Sequence, residues 1–383
     1  MKNLVLKSLW GVITIFAIGA CQPQTIIETV EVPVVETVIV EVEIPGEEVV
    51  VTQEAEIVST PEVEGENDKH AFIGYSASGL DAYQASVLHS FINNAGDKGL
   101  NVVTTNASKV AEKQAAQIEN FISLGVDAIA AIPVDSQAFC ASAKGALEAG
   151  IPVYTIDRAP IGCVISMTVQ ADNELGGKQS AEAIVSFLKK KYGLPSGIVL
   201  ELQGDMDQSD AQLRSKSFNE VLSEFEGIEV ISKPTDWEAE KFSQATLEIV
   251  GTQDVDAIYA HSDSVGTIPI ISALEILGKK IPKGETGHIF LATFDGSPNC
   301  LEQIRNGFQD QCSSKPNPNY GMLVDFIENE LSGGKIEEGP VVVEGAPWSP
   351  AMSFLSETGM MINLATTNVT VKNVDDPNLW GNQ

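Results

Sequence analysis

The feature that most narrows the fold is an alternation that runs through the chain twice. From Ala71, short apolar runs alternate with longer stretches whose apolar residues recur at helical spacing. AFIGYS reads as a strand, and Val87, Leu88, Phe91, Ile92 and Ala95 then mark one face of a helix. NVVTT, DAIAAIP and IPVYTID supply three more strands. The helices between them are marked by Ile118, Phe121 and Ile122, and by a stretch over 140–148 that Gly150 closes. The pattern restarts after Asn173, with helices over 177–190, 217–225, 242–250 and 268–277 leading into GIVLEL, IEVISK, DAIYA and HIFLATFD. Connections this short force right-handed crossovers and parallel sheets. Residues 70–383 are long for one simple domain, and two such sheets in succession predict an α/β chain of two Rossmann-like lobes with a cleft between them.

Ligands of open parallel sheets sit at the carboxyl ends of the strands, so the residues just after each apolar run are the candidates. They are polar or aromatic throughout. Ser76, with Asp81 and Tyr83 shortly after, follows the first strand; Asp157 and Arg158 follow IPVYTI. Gln212 and Arg214 follow GIVLEL, Trp237 follows VISKPTD, Ser262 and Asp263 follow DAIYA, and Asp295 ends IFLATF. Carboxylates, amides and an Arg suit hydroxyl groups, which form short, strong bonds with charged partners. Flat aromatics suit the apolar face of a sugar ring. The competing reading for each residue is a helix cap or a loop charge.

The start of the chain is an export signal. Lys2 and Lys7 precede a short apolar core, LWGVITIFAI, too short for a membrane helix of ~20 residues. It ends in Ile18-Gly19-Ala20-Cys21, which resembles a bacterial lipobox. The resemblance implies a signal peptide over 1–20, cleavage before Cys21 and acylation of its thiol, anchoring the protein to the outer face of the cell membrane. Residues 21–69 hold thirteen acidic residues against the single base Lys69 and read as a Val/Glu-rich, self-repelling tether. A flexible coil of that length spans ~40 Å. A β-rich stalk is the alternative.

With two lysines in the signal and this acidic tether set aside, the folded part keeps −20 of the chain's net charge of −30. That excludes nucleic acid, whose phosphates need a basic surface. Of the five Cys, Cys140, Cys163, Cys300 and Cys312 remain after Cys21, an even number in an exported chain. Cys140–Cys163 with Cys300–Cys312 is one of three connectivities, and buried free thiols are the alternative. The four His have no zinc spacing, and DMDQSD over 205–210 lacks the later residues of a calcium loop, so no metal or other cofactor is expected.

Several segments together carry a family likeness: IPVYTIDRAP, ADNELGGKQSAEAI, ELQGDMDQSDAQLRSKSF, HSDSVG and FDGSPNCLEQI. In order and spacing they resemble the ribose- and galactose-type periplasmic sugar-binding proteins, over about residues 71–345. The terminal NVDDPNLWGN is similar to the tail of some sugar-import receptors. The resemblance implies a type I periplasmic binding protein: lobes over 70–172 plus about 314–345 and over 173–313 plus about 346–375, joined by a multi-strand hinge. It implies a monomeric receptor that captures a small sugar or polyol and hands it to an ABC permease. Asp157 and Arg158 would bind ring and anomeric hydroxyls, Asp295 would accept from the other lobe, and Trp237 and Tyr83 would stack.

The departures bear on the ligand. Ile132 stands where ribose binders have Asn, Gln212 where they have the cleft Arg, Ser262 where they have Asn, and Ser314 near their hinge Gln. Unpaired buried hydroxyls cost roughly 1–3 kcal/mol each, so a sugar other than ribose, a deoxysugar or a polyol is expected. Residues 345–366, including Trp348, lie beyond the pattern. Two alternatives remain: the same receptor serving a chemosensory partner, and an exported enzyme in which Asp157 and Asp295 act as paired acids. The enzyme reading is weak, because GYSASG lacks nucleophile-elbow spacing.

Overall fold

The structure, a computed structural model, describes residues 71–383. The signal peptide, the tether and Cys21 lie outside the described residues.

The first lobe is built as the alternation predicts. Strands β1 (Phe72–Ala77), β2 (Asn101–Asn106), β3 (Ala128–Ala131), β4 (Val153–Ile156) and β5 (Met167–Ala171) are linked by helices α1 (Ala82–Asp97), α2 (Ala111–Leu124) and α3 (Phe139–Glu148). All pair in parallel, in the order β5-β4-β3-β1-β2. Asp81 caps α1 by accepting from the Gln84 amide, and Val87, Phe91 and Ala95 bury that helix on the sheet. Gly74 lets the sheet approach α2 closely, since a Cβ there would lie 2.6 Å from the Phe121 ring.

The chain then crosses to the second lobe. Helix α4 (Asn173–Tyr192), β6 (Gly197–Gln203), α5 (Ser209–Leu222), β7 (Ile228–Pro234), α6 (Ala239–Thr252), β8 (Val255–Ala260), α7 (Asp263–Ile276), β9 (Phe290–Asp295), α8 (Pro298–Asn306) and β10 (Gln311–Ser314) follow. These strands are parallel, in the order β10-β9-β8-β6-β7. The Gly176-Gly177 pair inside α4 has a steric cause. A Cβ on Gly176 would meet Phe294 at 2.0 Å, and one on Gly177 would meet the Ser217 hydroxyl at 2.2 Å.

The return crossing corrects the expected boundaries. A short helix at Asn317–Met322 and α9 (Leu323–Leu331) pack back on the first lobe, where the Gly321 amide donates to Ser90. Residues from about 346 had been expected in the second lobe. Instead β11 (Gly339–Val341), β12 (Ala351–Ser356) and β13 (Gly359–Leu364) extend the first sheet, with β13 parallel to β5. The physical reason is apolar: Ile362 and Leu364 join the first core, together with the buried Trp348 and Ala351. Only β14 (Thr367–Val369) returns to the second sheet, antiparallel to β10. Three crossings, at 171–173, 314–317 and 364–367, therefore join the lobes.

Cys140 and Cys163 form a disulfide that ties α3 to the loop after β4, whereas Cys300 and Cys312 are buried free thiols. Closing 23 residues of chain should stabilise the fold by about 3 kcal/mol in the chain-entropy picture. The paired variant Cys140→Ser, Cys163→Ser should show a matching loss in urea unfolding. An unchanged midpoint would mean that the bridge contributes nothing.

Candidate ligand-binding cleft

The carboxyl ends of both sheets open onto one cavity of about 210 Å³. That is below the roughly 300–1,000 Å³ of drug-sized sites and suits a single small ring or short polyol. Asp157, Arg158, Tyr83 and Asp81 line it from the first lobe, and Arg214, Trp237, Ser262 and Asp295 from the second.

Asp157 and Asp295 end their strands in left-handed backbone, with φ 68° and 120°. Non-glycine residues hold such angles only where the surroundings impose them, and they cluster at ligand clamps. For Asp295 the cause is visible. Asp263, behind it, accepts from the Gly296 and Ser297 amides and from Thr293, all within 3.0 Å. The terminal Trp380 indole donates to the Asp295 carbonyl at 2.6 Å.

The cleft is densely charged. Asp157 accepts from the Tyr83 hydroxyl and from Lys315 Nζ at 2.9 Å, and its Oδ2 has no hydrogen-bond partner. Arg158 donates to the Pro133 carbonyl (3.0 Å) and to Ser78 (3.2 Å), while its Nε lies 3.3 Å from Asp210 Oδ1 without bonding geometry. Arg214 donates to Asn173, to the His261 carbonyl and to Asp210 Oδ2, and lies 3.8 Å over the Phe294 ring. Ser262 donates to Asp295 Oδ2 at 2.6 Å. Three carboxylates (Asp157, Asp210, Asp295) thus face three cations (Arg158, Arg214, Lys315), all buried. Among these buried groups the charges balance, so a charged ligand would leave one of them uncompensated, and the less buried Asp81, Asp205, Asp236 and Glu238, against Lys109, make the rest of the lining acidic and unsuited to an anion.

Burial pushes the Asp157 carboxyl up, but Lys315, Arg158 and Arg214 overcome it and hold the group down to about 2. Burial, with the Asp157 charge, holds Tyr83 well above the usual phenol range, so it remains a donor. Burial and the Asp295 charge raise Asp263 to about 7.

Trp237 has φ 57° and its ring lies against Gly204, where a Cβ would sit 2.0 Å from the ring. Its indole donates to Gln208, whose amide reaches the Val134 carbonyl of the first lobe at 2.9 Å. Ser209 continues this cross-lobe contact, through its hydroxyl to the Ala159 carbonyl and its amide to Ser136.

Three expected residues do not line the cavity. Ser76 is buried in the sheet and bonds Gln114 and Gln117 of α2. Gln212 is exposed and donates to the Met206 carbonyl. Asp263 shapes the turn under Asp295 instead of facing the space. Sequence reasoning missed Gln208, Asp210 and Lys315. Asp210 lies one helical turn before Arg214 and was findable on that spacing. Lys315, not Ser314, is the hinge residue that faces the cleft, and it follows a strand, QCSS, too polar to be recognised.

Comparison with known proteins agrees with this architecture. The sequence model described as "Periplasmic binding protein domain" matches residues 73–328. The ribose import binding protein RbsB of Bacillus subtilis (strain 168) is 28% identical over 272 residues, 70% of this chain and 84% of that protein. The galactofuranose-binding protein YtfQ of Escherichia coli (strain K12) is 26% identical over 288 residues, 73% and 87% respectively. An ABC transporter solute binding protein of Bacillus halodurans C-125, solved with bound myo-inositol, superposes with a TM-score of 0.68 at 21% identity. The match covers 82% of this chain and 99% of that one, and it shows the fold. These relatives bind solutes and are not enzymes, and a match to periplasmic binding proteins implies an extracytoplasmic location. Among the described residues no helix is long and apolar enough to cross a membrane.

The depressed Asp157 carboxyl has a pH signature. A group ionised more readily when folded contributes stability that is present above its ordinary value of 3.8 and lost as pH falls toward about 2. Unfolding free energy should therefore decline across that window, and Asp157→Asn should flatten the decline. A wild-type slope in the variant would exclude Asp157 as its source.

Proposed function

Since the chain belongs to the periplasmic binding protein domain family, we propose that its cleft captures one neutral monosaccharide or polyol and that the protein delivers it to an ABC-type importer. The observation that carries this reading is the pair of strand-end aspartates, one from each lobe, facing the same small cavity among three cations. Asp157 Oδ2, Arg158 Nε and Asp210 Oδ1 are buried polar atoms without hydrogen-bond partners. Such atoms are costly unless satisfied, and hydroxyl groups, which both donate and accept, satisfy all three. Trp237 and Tyr83 offer apolar surface to a ring.

Delivery follows from closure. A ligand held by groups from both lobes favours the form in which the lobes meet, and a docking permease distinguishes that form. The three crossings make the hinge. The lobes are proposed to comprise residues 71–172 with 315–364, and 173–314 with the segment from 367 onward. The lipobox-like Ile18-Gly19-Ala20-Cys21 supports a lipid anchor at the outer face of the membrane, with residues 21–69 as spacer.

A thermal-shift screen against pentoses, hexoses and polyols tests the ligand class, because a ligand that binds only the native state raises the melting point. At least one should shift the wild type. Asp157→Asn and Asp295→Asn should each weaken it about tenfold or more, as expected for loss of a charge-assisted hydrogen bond. Wild-type affinity in both variants would remove the cleft from consideration. For the anchor, Cys21→Ala should abolish labelling by radioactive palmitate in a bacterial host; persistent labelling would place the lipid elsewhere.

A further inference from the structure

Resting on that reading, we propose that Lys315 determines which ligands the cleft accepts. Its ammonium reserves one oxygen of Asp157 and one of Asp295, so the site favours a sugar lacking a hydroxyl along that edge over its fully hydroxylated counterpart.

Lys315 follows β10 at the second crossing between lobes, and its side chain is 3% exposed. The backbone amide donates to the Asp295 carbonyl at 2.8 Å, which fixes the root of the side chain beside the clamp. Nζ lies 2.9 Å from Asp157 Oδ1, 3.3 Å from Asp295 Oδ1 and 3.8 Å over the Tyr83 ring. An ammonium has three donors and no acceptor; one donates to Asp157 Oδ1, and Asp295 Oδ1 is held beside it as an ion partner at 3.3 Å. Asp157 Oδ1 already accepts from both the Tyr83 hydroxyl and Lys315, so a ligand hydroxyl seeking to donate there must displace one of them and leave a buried group short of a partner, which is unfavourable. On the other side of the clamp the competitor is weaker: Asp157 Oδ2 and Asp210 Oδ1 have no hydrogen-bond partner and face the Arg158 guanidinium, whose Nε lies 3.8 and 3.3 Å away without bonding geometry. The cleft therefore has a hydroxyl-demanding edge and an edge already satisfied by the protein. Because the two aspartates belong to different lobes, the same ammonium also bridges the lobes.

The test measures ratios within sugar pairs that differ by one hydroxyl, D-ribose with 2-deoxy-D-ribose and D-galactose with D-fucose. Calorimetry on the full chain should show that wild type favours the deoxy member of at least one pair. Lys315→Gln and Lys315→Met should move that ratio by about tenfold or more toward the hydroxylated member, while Lys315→Arg, which keeps the charge, should not. Equal ratios in wild type, Lys315→Gln and Lys315→Met overturn the proposal. If no sugar or polyol binds wild type, the sugar reading fails by itself, and small-angle scattering without added ligand decides the bridge. A larger radius of gyration for Lys315→Met than for wild type supports it, and superimposable curves overturn it.

Discussion

Six buried charges at the meeting of two lobes govern this structure. Asp157 and Arg158 come from the first lobe, Asp210, Arg214 and Asp295 from the second, and Lys315 from the crossing just after β10. Removing a charge from water costs several kcal/mol unless a partner and hydrogen bonds replace the solvent. Each lobe pairs part of its own set, Asp157 with Arg158 and Asp210 with Arg214, and the rest is paired across the boundary. Arg158 finds Asp210 only across the cleft, and Asp157 finds Lys315 only because the hinge places it there. The cleft charges are therefore compensated across the lobe boundary as well as within each lobe.

The surrounding fold holds these charges at unfavourable backbone angles and close distances. Asp263 fastens the turn after Asp295, and the carboxyl-terminal segment reaches back through Trp380 to the carbonyl of the same residue. Arg305 holds that segment in place through Asp375, the Val374 carbonyl and Asn382. Gly204 and Gly176 remove the Cβ atoms that would collide with Trp237 and Phe294, the aromatic surfaces against which the cleft is built. Phe294 in turn carries the Arg214 guanidinium on its face, so packing in the second lobe and placement of a cleft cation share one side chain.

Much of the site was legible because strand ends are legible. Asp157, Arg158 and Asp295 follow unmistakable apolar runs, and a parallel sheet sends its carboxyl ends to one side. The rule overreached where side-chain direction decides. Ser76 lies within β1 and its hydroxyl turns to the glutamines of α2. Gln212 occupies the same helix as Asp210 and Arg214, but residues four apart share a face and those two apart do not, so the pair points inward and Gln212 outward. Asp263 was found as a polar strand-end residue, yet its carboxylate is consumed by backbone amides.

The sequence by itself determined the α/β class, the doubled succession of strands and helices and most of the clamp, because apolar periodicity and capping are local and act within a few residues. Only the tertiary structure decided that Ala351–Ser356 and Gly359–Leu364 return to the first sheet, that the tail braces Asp295, and that Lys315 sits between the two aspartates. Those outcomes depend on pairings between segments far apart in the chain, such as Lys315 with Asp157, and no local pattern encodes which distant partner a short polar strand or a lone lysine will meet.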